Sequence, residues 1–258
     1  PADGHYSGAS ATAAINVSRA ALTLSVDNAT RAYGAANPTL SGSLSGLTNN
    51  DAITASFTTA TTPTSPTGSY PISAVLSDPA SRLDNYTLTT NAGTLTVTPA
   101  EQSIAFGPLP ARTYGQTPFT VSASAGSGLP VLFTSLTPAV VTISGDLVTI
   151  VGPGTATLRA TQAGDGNWQA APAVEQSFTV GLAPLPVLTW TNPADIVYGT
   201  ALDSTQLNAT ADVPGTFTYA PAAGSVLAAG TNQLLTVDFT PADGHYSGAS
   251  ATAAINVS

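Results

Sequence analysis

Residues 140–151 read VVTISGDLVTIV, and the order of residue types in this stretch decides the fold class. Two runs of β-branched and aliphatic residues, Val140-Val141-Thr142-Ile143 and Leu147-Val148-Thr149-Ile150-Val151, flank Ser144-Gly145-Asp146. β-branched side chains pack well on a pleated face, and a glycine supplies the positive φ that a tight hairpin turn needs. The stretch therefore predicts a β-hairpin. Outward from it, Gly152-Pro153-Gly154 turns the chain into a further strand at Thr155–Thr161. Leu22, Leu24 and Val26 alternate with polar residues, as one buried strand face requires. No window of a dozen residues carries an i, i+3, i+4 apolar stripe free of Gly, Pro and β-branched residues, so the chain reads as all-β.

Two punctuation marks recur. Tyr33-Gly34, Tyr114-Gly115 and Tyr198-Gly199 stand 81 and 84 residues apart, each shortly after an apolar run. A polar turn leading into an aromatic follows each of them, at Asp84-Asn85-Tyr86, Asp165-Gly166-Asn167-Trp168 and Asp243-Gly244-His245-Tyr246, and each aromatic precedes a closing alternating run. The same mark stands at Asp3-Gly4-His5-Tyr6 because residues 1–18, PADGHYSGASATAAINVS, return unchanged at 241–258. An identical block implies a tandem array with a period of 240 residues, the separation of Pro1 from Pro241. On this reading 1–18 is the C-terminal strand portion of a preceding third-type domain, and 19–99, 100–181 and 182–258 are three complete β domains. Residues 1–18 alone cannot bury their apolar face and are expected to be disordered or to pair with a neighbour, in cis or in trans.

In the first domain the strand candidates are Ala21–Asp27, Leu40–Leu44, Ala52–Thr58, Tyr70–Leu76 and Tyr86–Thr98, the last split by a turn at Asn91-Ala92-Gly93. The tract from Thr58 to Gly68, broken by Pro63 and Pro66, reads as a polar loop, with a glycosylated Thr/Pro tract as the alternative. Trp168 is expected to cover one end of the second core. Strands punctuated every 8–12 residues in units of about 80 fit small β-sandwiches. Short proline-bearing junctions at Thr98-Pro99-Ala100 and Gly181-Leu182-Ala183-Pro184 restrict swinging, so a semi-rigid rod is expected, roughly 110–120 Å per period at full extension.

Composition narrows function. Charged residues make up 7% of the chain, the formal net charge is −9, and all five basic residues are arginine. Nucleic acid is an unsuitable partner, because its recognition draws on clustered cations. Cysteine and methionine are absent, which removes disulfides and thiolate metal sites and suits an oxidising exterior. No run approaches the roughly 20 apolar residues of a membrane span. With about a quarter of the residues Ser or Thr, the surface must be mainly hydroxyls and amides.

The first domain carries Ala29-Thr30-Arg31-Ala32-Tyr33-Gly34-Ala35-Ala36-Asn37-Pro38-Thr39-Leu40, then Gly68-Ser69-Tyr70-Pro71-Ile72, Asn85-Tyr86-Thr87 and Gly93-Thr94-Leu95-Thr96-Val97. In these it resembles the YGX-type MBG domain of bacterial surface proteins. The second, with Tyr114-Gly115, Ser127-Gly128-Leu129-Pro130-Val131 and Gly152-Pro153-Gly154-Thr155-Ala156-Thr157, is similar to bacterial Ig-like (Big-type) repeats. The third, with Ile196-Val197-Tyr198-Gly199-Thr200 and Gln206-Leu207-Asn208-Ala209, is similar to Ig-like modules found beside them. The resemblance implies tandem β-sandwiches in a long bacterial protein of the cell surface or exterior, acting as adhesin or stalk, with no family-wide catalytic residue. The expected role is a structural segment acting as stalk, tether or fibre; the alternative is an adhesin module gripping glycans or another surface through inter-domain grooves.

No catalytic, cofactor or metal site is assigned. His5 and His245 are two copies of one repeat position, read as a turn or junction histidine. Asp165 with Asn167, and Asp243, are the candidates for a Ca2+-binding turn, against the plainer reading of Asp and Asn as turn caps. Tyr33, Tyr114 and Tyr198 are read as structural, with the ring buried and the hydroxyl tying a loop, and sugar-stacking platforms are the alternative. The sequons at Asn16, Asn28, Asn85, Asn208 and Asn256 are expected by composition alone. The expected partners are flanking copies of the repeat, with lateral association into filaments, or binding to glycans or surfaces, as further options.

Overall fold

The computed structural model describes residues 4, 8 and 10–258. Among these residues there are strands, one 3-10 turn (Leu83–Asn85) and no α-helix, so the all-β reading holds. The chain divides into two compact units, one of residues 1–102 with 163–170 and one of 103–162 with 171–258.

The first unit is built from β1 (Ala20–Val26), β2 (Ala29–Ala32), β3 (Gly42–Ser45), β4 (Thr54–Thr58), β5 (Gly68–Ser77), β6 (Tyr86–Asn91) and β7 (Gly93–Thr98). Two sheets form, in the orders β3-β1-β6 and β2-β7-β5-β4. β1 carries Leu22, Leu24 and Val26 into the core on alternate positions, as its sequence predicts. The expected break at Ala92 is where the chain leaves one sheet and joins the other, and β1 gives way to β2 in the same manner at Asp27-Asn28. The two crossings are tied together, since the Thr94 N–H donates to Asn28 Oδ1 at 2.8 Å. Gly93 is required there: a Cβ would stand 2.6 Å from the Val26 carbonyl oxygen. Around this seam Leu22, Ile53 and Tyr86 fill one end of the core, while Val26, Ile72 and Leu95 fill the other.

The Pro63 and Pro66 tract lies between β4 and β5 outside any strand, as expected. It is held by Arg31, a buried cation whose Nε donates to Asn37 Oδ1 at 2.8 Å and whose guanidinium nitrogens donate to the carbonyls of Thr62 and Pro63. Desolvating the charge is offset by these convergent acceptors. Residues 10–18 form no ladder and leave Ile15 and Val17 86% and 87% exposed. The mark at Asp3-His5-Tyr6 lies outside the described residues.

The second unit begins with β8 (Ile104–Ala105), β9 (Arg112–Thr113), β10 (Phe119–Thr120), β11 (Ser124–Ala125), β12 (Leu132–Ser135), β13 (Val141–Ser144), β14 (Leu147–Ile150), β15 (Gly154–Gln162) and β16 (Ala171–Gly181). The hairpin read from residues 140–151 is β13–β14, paired from Val141↔Ile150 to Ser144↔Leu147 across Gly145 at φ 63. It joins β10, while β12-β15-β16-β9 forms the larger sheet. Val141 and Val148 from the first sheet meet Ala156, Leu158, Phe178 and Val180 from the second in one core.

The unit continues with β17 (Leu188–Thr189), β18 (Thr210–Ala211), β19 (Gly215–Ala220), β20 (Gly230–Pro241) and β21 (Ala249–Val257). β20 is central in the order β19-β20-β21. Its Leu235 packs with Ile255 and Val257 of β21 and with Ile196, Leu202 and Leu207.

Candidate functional site: tyrosine turns and the aromatic turns they meet

The three Tyr-Gly marks fold alike. Each sits at the centre of a β-turn closed by an i+3 N–H to i carbonyl hydrogen bond: Ala35 to Ala32, Gln116 to Thr113 and Thr200 to Val197. The glycines take φ of 80, 86 and 95, the left-handed value that the third position of a type II turn demands. Each tyrosine N–H donates to the end of a closing strand: Tyr33 to Thr98 at 2.8 Å, Tyr114 to Gly181 at 2.9 Å and Tyr198 to Ser258 at 2.8 Å. The mark thus clamps an early turn onto the last strand.

The expectation that the hydroxyls of these tyrosines tie loops needs correcting, because the tie is made by their backbone. Hydroxyl ties belong to other tyrosines: Tyr86 to Asp51 at 2.6 Å, Tyr70 to the Pro66 carbonyl at 2.8 Å, and Tyr219, which accepts the Ala209 N–H at 2.9 Å. Freed from that task, the rings of Tyr33 and Tyr114 are half-buried against the second kind of mark.

In the first unit, Tyr33 meets Trp168 edge-on, with ring centroids 5.7 Å apart. Two hydrogen bonds flank this contact: Thr67 N–H donates to Asn167 Oδ1 at 3.0 Å, and Thr67 Oγ1 donates to the Gly166 carbonyl at 2.7 Å. The Asp165 carboxylate shapes the turn by accepting the N–H groups of Asn167 and Trp168. Trp168 does not cap the core of the 103–181 stretch, as its size suggested. The connection 163–170 between β15 and β16 belongs to the first unit, where Ala100 pairs with Trp168 and donates its N–H to Asn167.

In the second unit the pattern repeats with different side chains. Tyr114 stacks on His245 at 4.1 Å and meets Tyr246 edge-on at 6.4 Å. Asp243 Oδ1 accepts the His245 N–H at 2.9 Å, and its other oxygen lies 3.6 Å from His245 Nδ1. Ala183 pairs with Tyr246 and donates its N–H to the His245 carbonyl at 2.8 Å. Beside this contact is a cleft of about 360 Å³ lined by Thr113, Tyr114, Gly115, Gln116, Ala183, Pro184 and Tyr246. Tyr198 differs from its two counterparts in being 66% exposed.

The candidate Ca2+ turns serve as backbone caps, since Asp165 and Asp243 each spend an oxygen on N–H groups. Among the described residues no group of three His, Cys, Asp or Glu side chains stands close enough to hold a metal. Capping also perturbs two other carboxylates. Asp78 is held below its ordinary pKa of 3.8 first by the Arg82 and then by the Leu83 backbone N–H, and Asp203 first by the Thr205 backbone N–H and then by its hydroxyl. The sequence displayed both kinds of mark but not that they meet.

No curated protein matches the chain. Among solved structures, mouse cadherin-23 EC22-24 is 13% identical with a TM-score of 0.35, covering 93% of this chain and 99% of that one. Human CDH23 EC21-23 is 16% identical with a TM-score of 0.34, covering 93% and 100%. Drosophila N-cadherin EC1-4 is 9% identical with a TM-score of 0.31, covering 94% and 76%. Residues 22–96, which run from β1 into β7 and carry the Tyr33-Gly34 turn, match the family model of the MBG domain (YGX type), the family that this stretch resembles in sequence.

Proposed function

We propose that the chain is a segment of a structural repeat protein, at the cell surface or outside the cell, that acts as a stalk, tether or fibre through serial β domains recurring every 240 residues. The observation that carries the reading is the contrast between the two copies of the eighteen-residue block. In the second copy Ala253, Ile255 and Val257 are buried, on a strand paired to β20. The same side chains in the first copy, Ile15 and Val17, stand almost fully exposed. An apolar strand face with this alternation is covered by a strand of the β20 kind, which in an array the preceding copy supplies. The low charge and the absence of cysteine and methionine fit long exposure outside the cell. Electron micrographs of a chain of several periods are expected to show a thin beaded rod or fibril, and compact globules would refute the reading.

A second reading, a glycan-binding adhesin module, is supported by the cleft beside Tyr114 and Tyr246, whose aromatic faces suit the apolar faces of sugars. A glycan array probed with this chain and with Tyr246→Ala tests it. Binding lost in the variant supports it, and silence across a broad panel removes it.

A further inference from the structure

We infer that the Tyr198-Gly199 turn of one copy docks in a cleft at the start of the next, formed by Arg19, Ala20, Thr48, Asn49 and Asp84–Tyr86 and edged by Val17-Ser18, which stand for Val257-Ser258 of the first copy, completing a third aromatic latch. The inference rests on the repeat reading above and names the partner of an exposed surface within it. The cleft measures about 410 Å³ and belongs wholly to the first unit.

Phase is the first argument. Tyr33 donates its N–H to Thr98, and two residues beyond that acceptor Ala100 pairs in parallel with Trp168. Tyr114 donates to Gly181, and two residues beyond it Ala183 pairs in parallel with Tyr246. Tyr198 donates to Ser258. Ser18 holds the position of Ser258 in the repeated block, and two residues beyond Ser18, Ala20 pairs in parallel with Tyr86. All three junctions therefore share one backbone frame, and in it the residue facing the Asp84–Tyr86 turn is Tyr198.

Shape is the second argument. Tyr33 and Tyr114 each sit between the end of a closing strand and an aromatic turn. The cleft is bounded by Val17-Ser18, which repeat Val257-Ser258 at the end of the closing strand, on one side and by Asp84-Asn85-Tyr86 on the other. Tyr198 already presents the same type II turn and is the exposed member of the three. One difference sets the character of this latch. Tyr86 is buried, with its hydroxyl committed to Asp51 and Thr48, so Tyr198 meets the exposed Asp84 and Asn85 and the backbone of the 3-10 turn instead of a free ring.

The test is a two-period chain in which residues 19–258 follow Ser258, with Asn85→Cys in the second period only. With no native cysteine, maleimide labelling reports that thiol alone. Labelling is expected to be about tenfold slower than for Asn85→Cys in the single 258-residue chain, the protection that about 1.4 kcal/mol of docking gives. Tyr198→Ala in the first period should restore the fast rate. Hydrogen exchange of Ala251–Val257 in the first period is read in parallel. If that strand stays protected while the thiol labels at the single-chain rate, the latch is refuted and the array stands. Slow labelling that ignores Tyr198→Ala also refutes it. If Ala251–Val257 lose protection when Arg19 follows Ser258, the array reading and the latch fail together.

Discussion

Replacing Tyr114 and His245 by alanine, singly and together, separates an interaction from mere burial. A fully buried aromatic side chain hides 150–250 Å², so the half-buried Tyr114 ring hides about 100 Å², or about 2.5 kcal/mol of transfer free energy. The stacked pair at 4.1 Å adds about 0.5–1.5 kcal/mol beyond area. Tyr114→Ala is therefore expected to cost about 3 kcal/mol and His245→Ala about 1–2 kcal/mol, with the double variant cheaper than their sum by the pair energy. The readout should be local, because a multidomain chain does not unfold in a single step. The Ala183 amide, which donates to the His245 carbonyl at 2.8 Å, serves as reporter. A coupling of about 1 kcal/mol appears as roughly a fivefold departure from additivity in its hydrogen-exchange rate. Tyr198→Ala in the single chain is the internal control. The ring is 66% exposed, so this change is expected to stay within about 0.5 kcal/mol of neutral. A coupling indistinguishable from zero, or a Tyr198→Ala cost equal to that of Tyr114→Ala, would refute the claim that the aromatic turns act as latches.

Tyr86→Phe removes a buried hydroxyl that donates to Asp51 and accepts the Thr48 N–H. Denaturant unfolding of the first unit should show a loss of about 1.5–3 kcal/mol, as for a hydrogen bond to a charged partner. Gly93→Ala forces a methyl to within 2.6 Å of the Val26 carbonyl at the seam between the sheets. A cost of about 1–3 kcal/mol is expected, while Gly166→Ala, with open space around it, should be near neutral. Asp78 and Asp203 have folded-state pKa values below their ordinary 3.8, so each contributes stability that is present above that pH and lost as pH falls through the lowered value. Carboxyl chemical shifts in an acid titration should place both midpoints below 3.8, and a midpoint at or above it would contradict the capping geometry.

What the sequence showed and what it hid divide along a physical line. Alternation at Leu22, Leu24 and Val26, and the glycine between two β-branched runs at 140–151, report on a residue's own strand and its nearest partner. Both were legible because the side-chain period of a strand is local. The break at Ala92 was legible as a turn, but not as a change of sheet, because nothing in Asn91-Ala92-Gly93 names the strand that will pair next. The latches were hidden for a stronger reason. Tyr33 and Trp168 are separated by 135 positions, and each looks sufficient by itself: a tyrosine before a turn glycine, and an aromatic after an Asx turn. Size alone assigned Trp168 to a core, whereas Asp165 and the pairing with Ala100 turn it toward Tyr33. The junction's chemistry also varies, with tryptophan in one latch, histidine and tyrosine in the next, and an acidic 3-10 turn where Tyr198 would dock. What stays constant is the backbone frame: a tyrosine N–H on the last strand, and an alanine two residues later in parallel with the turn. Side chains can diverge on such a frame while the turn and its clamp stay the same, so the frame is the stronger guide to where a tyrosine turn and an aromatic turn meet.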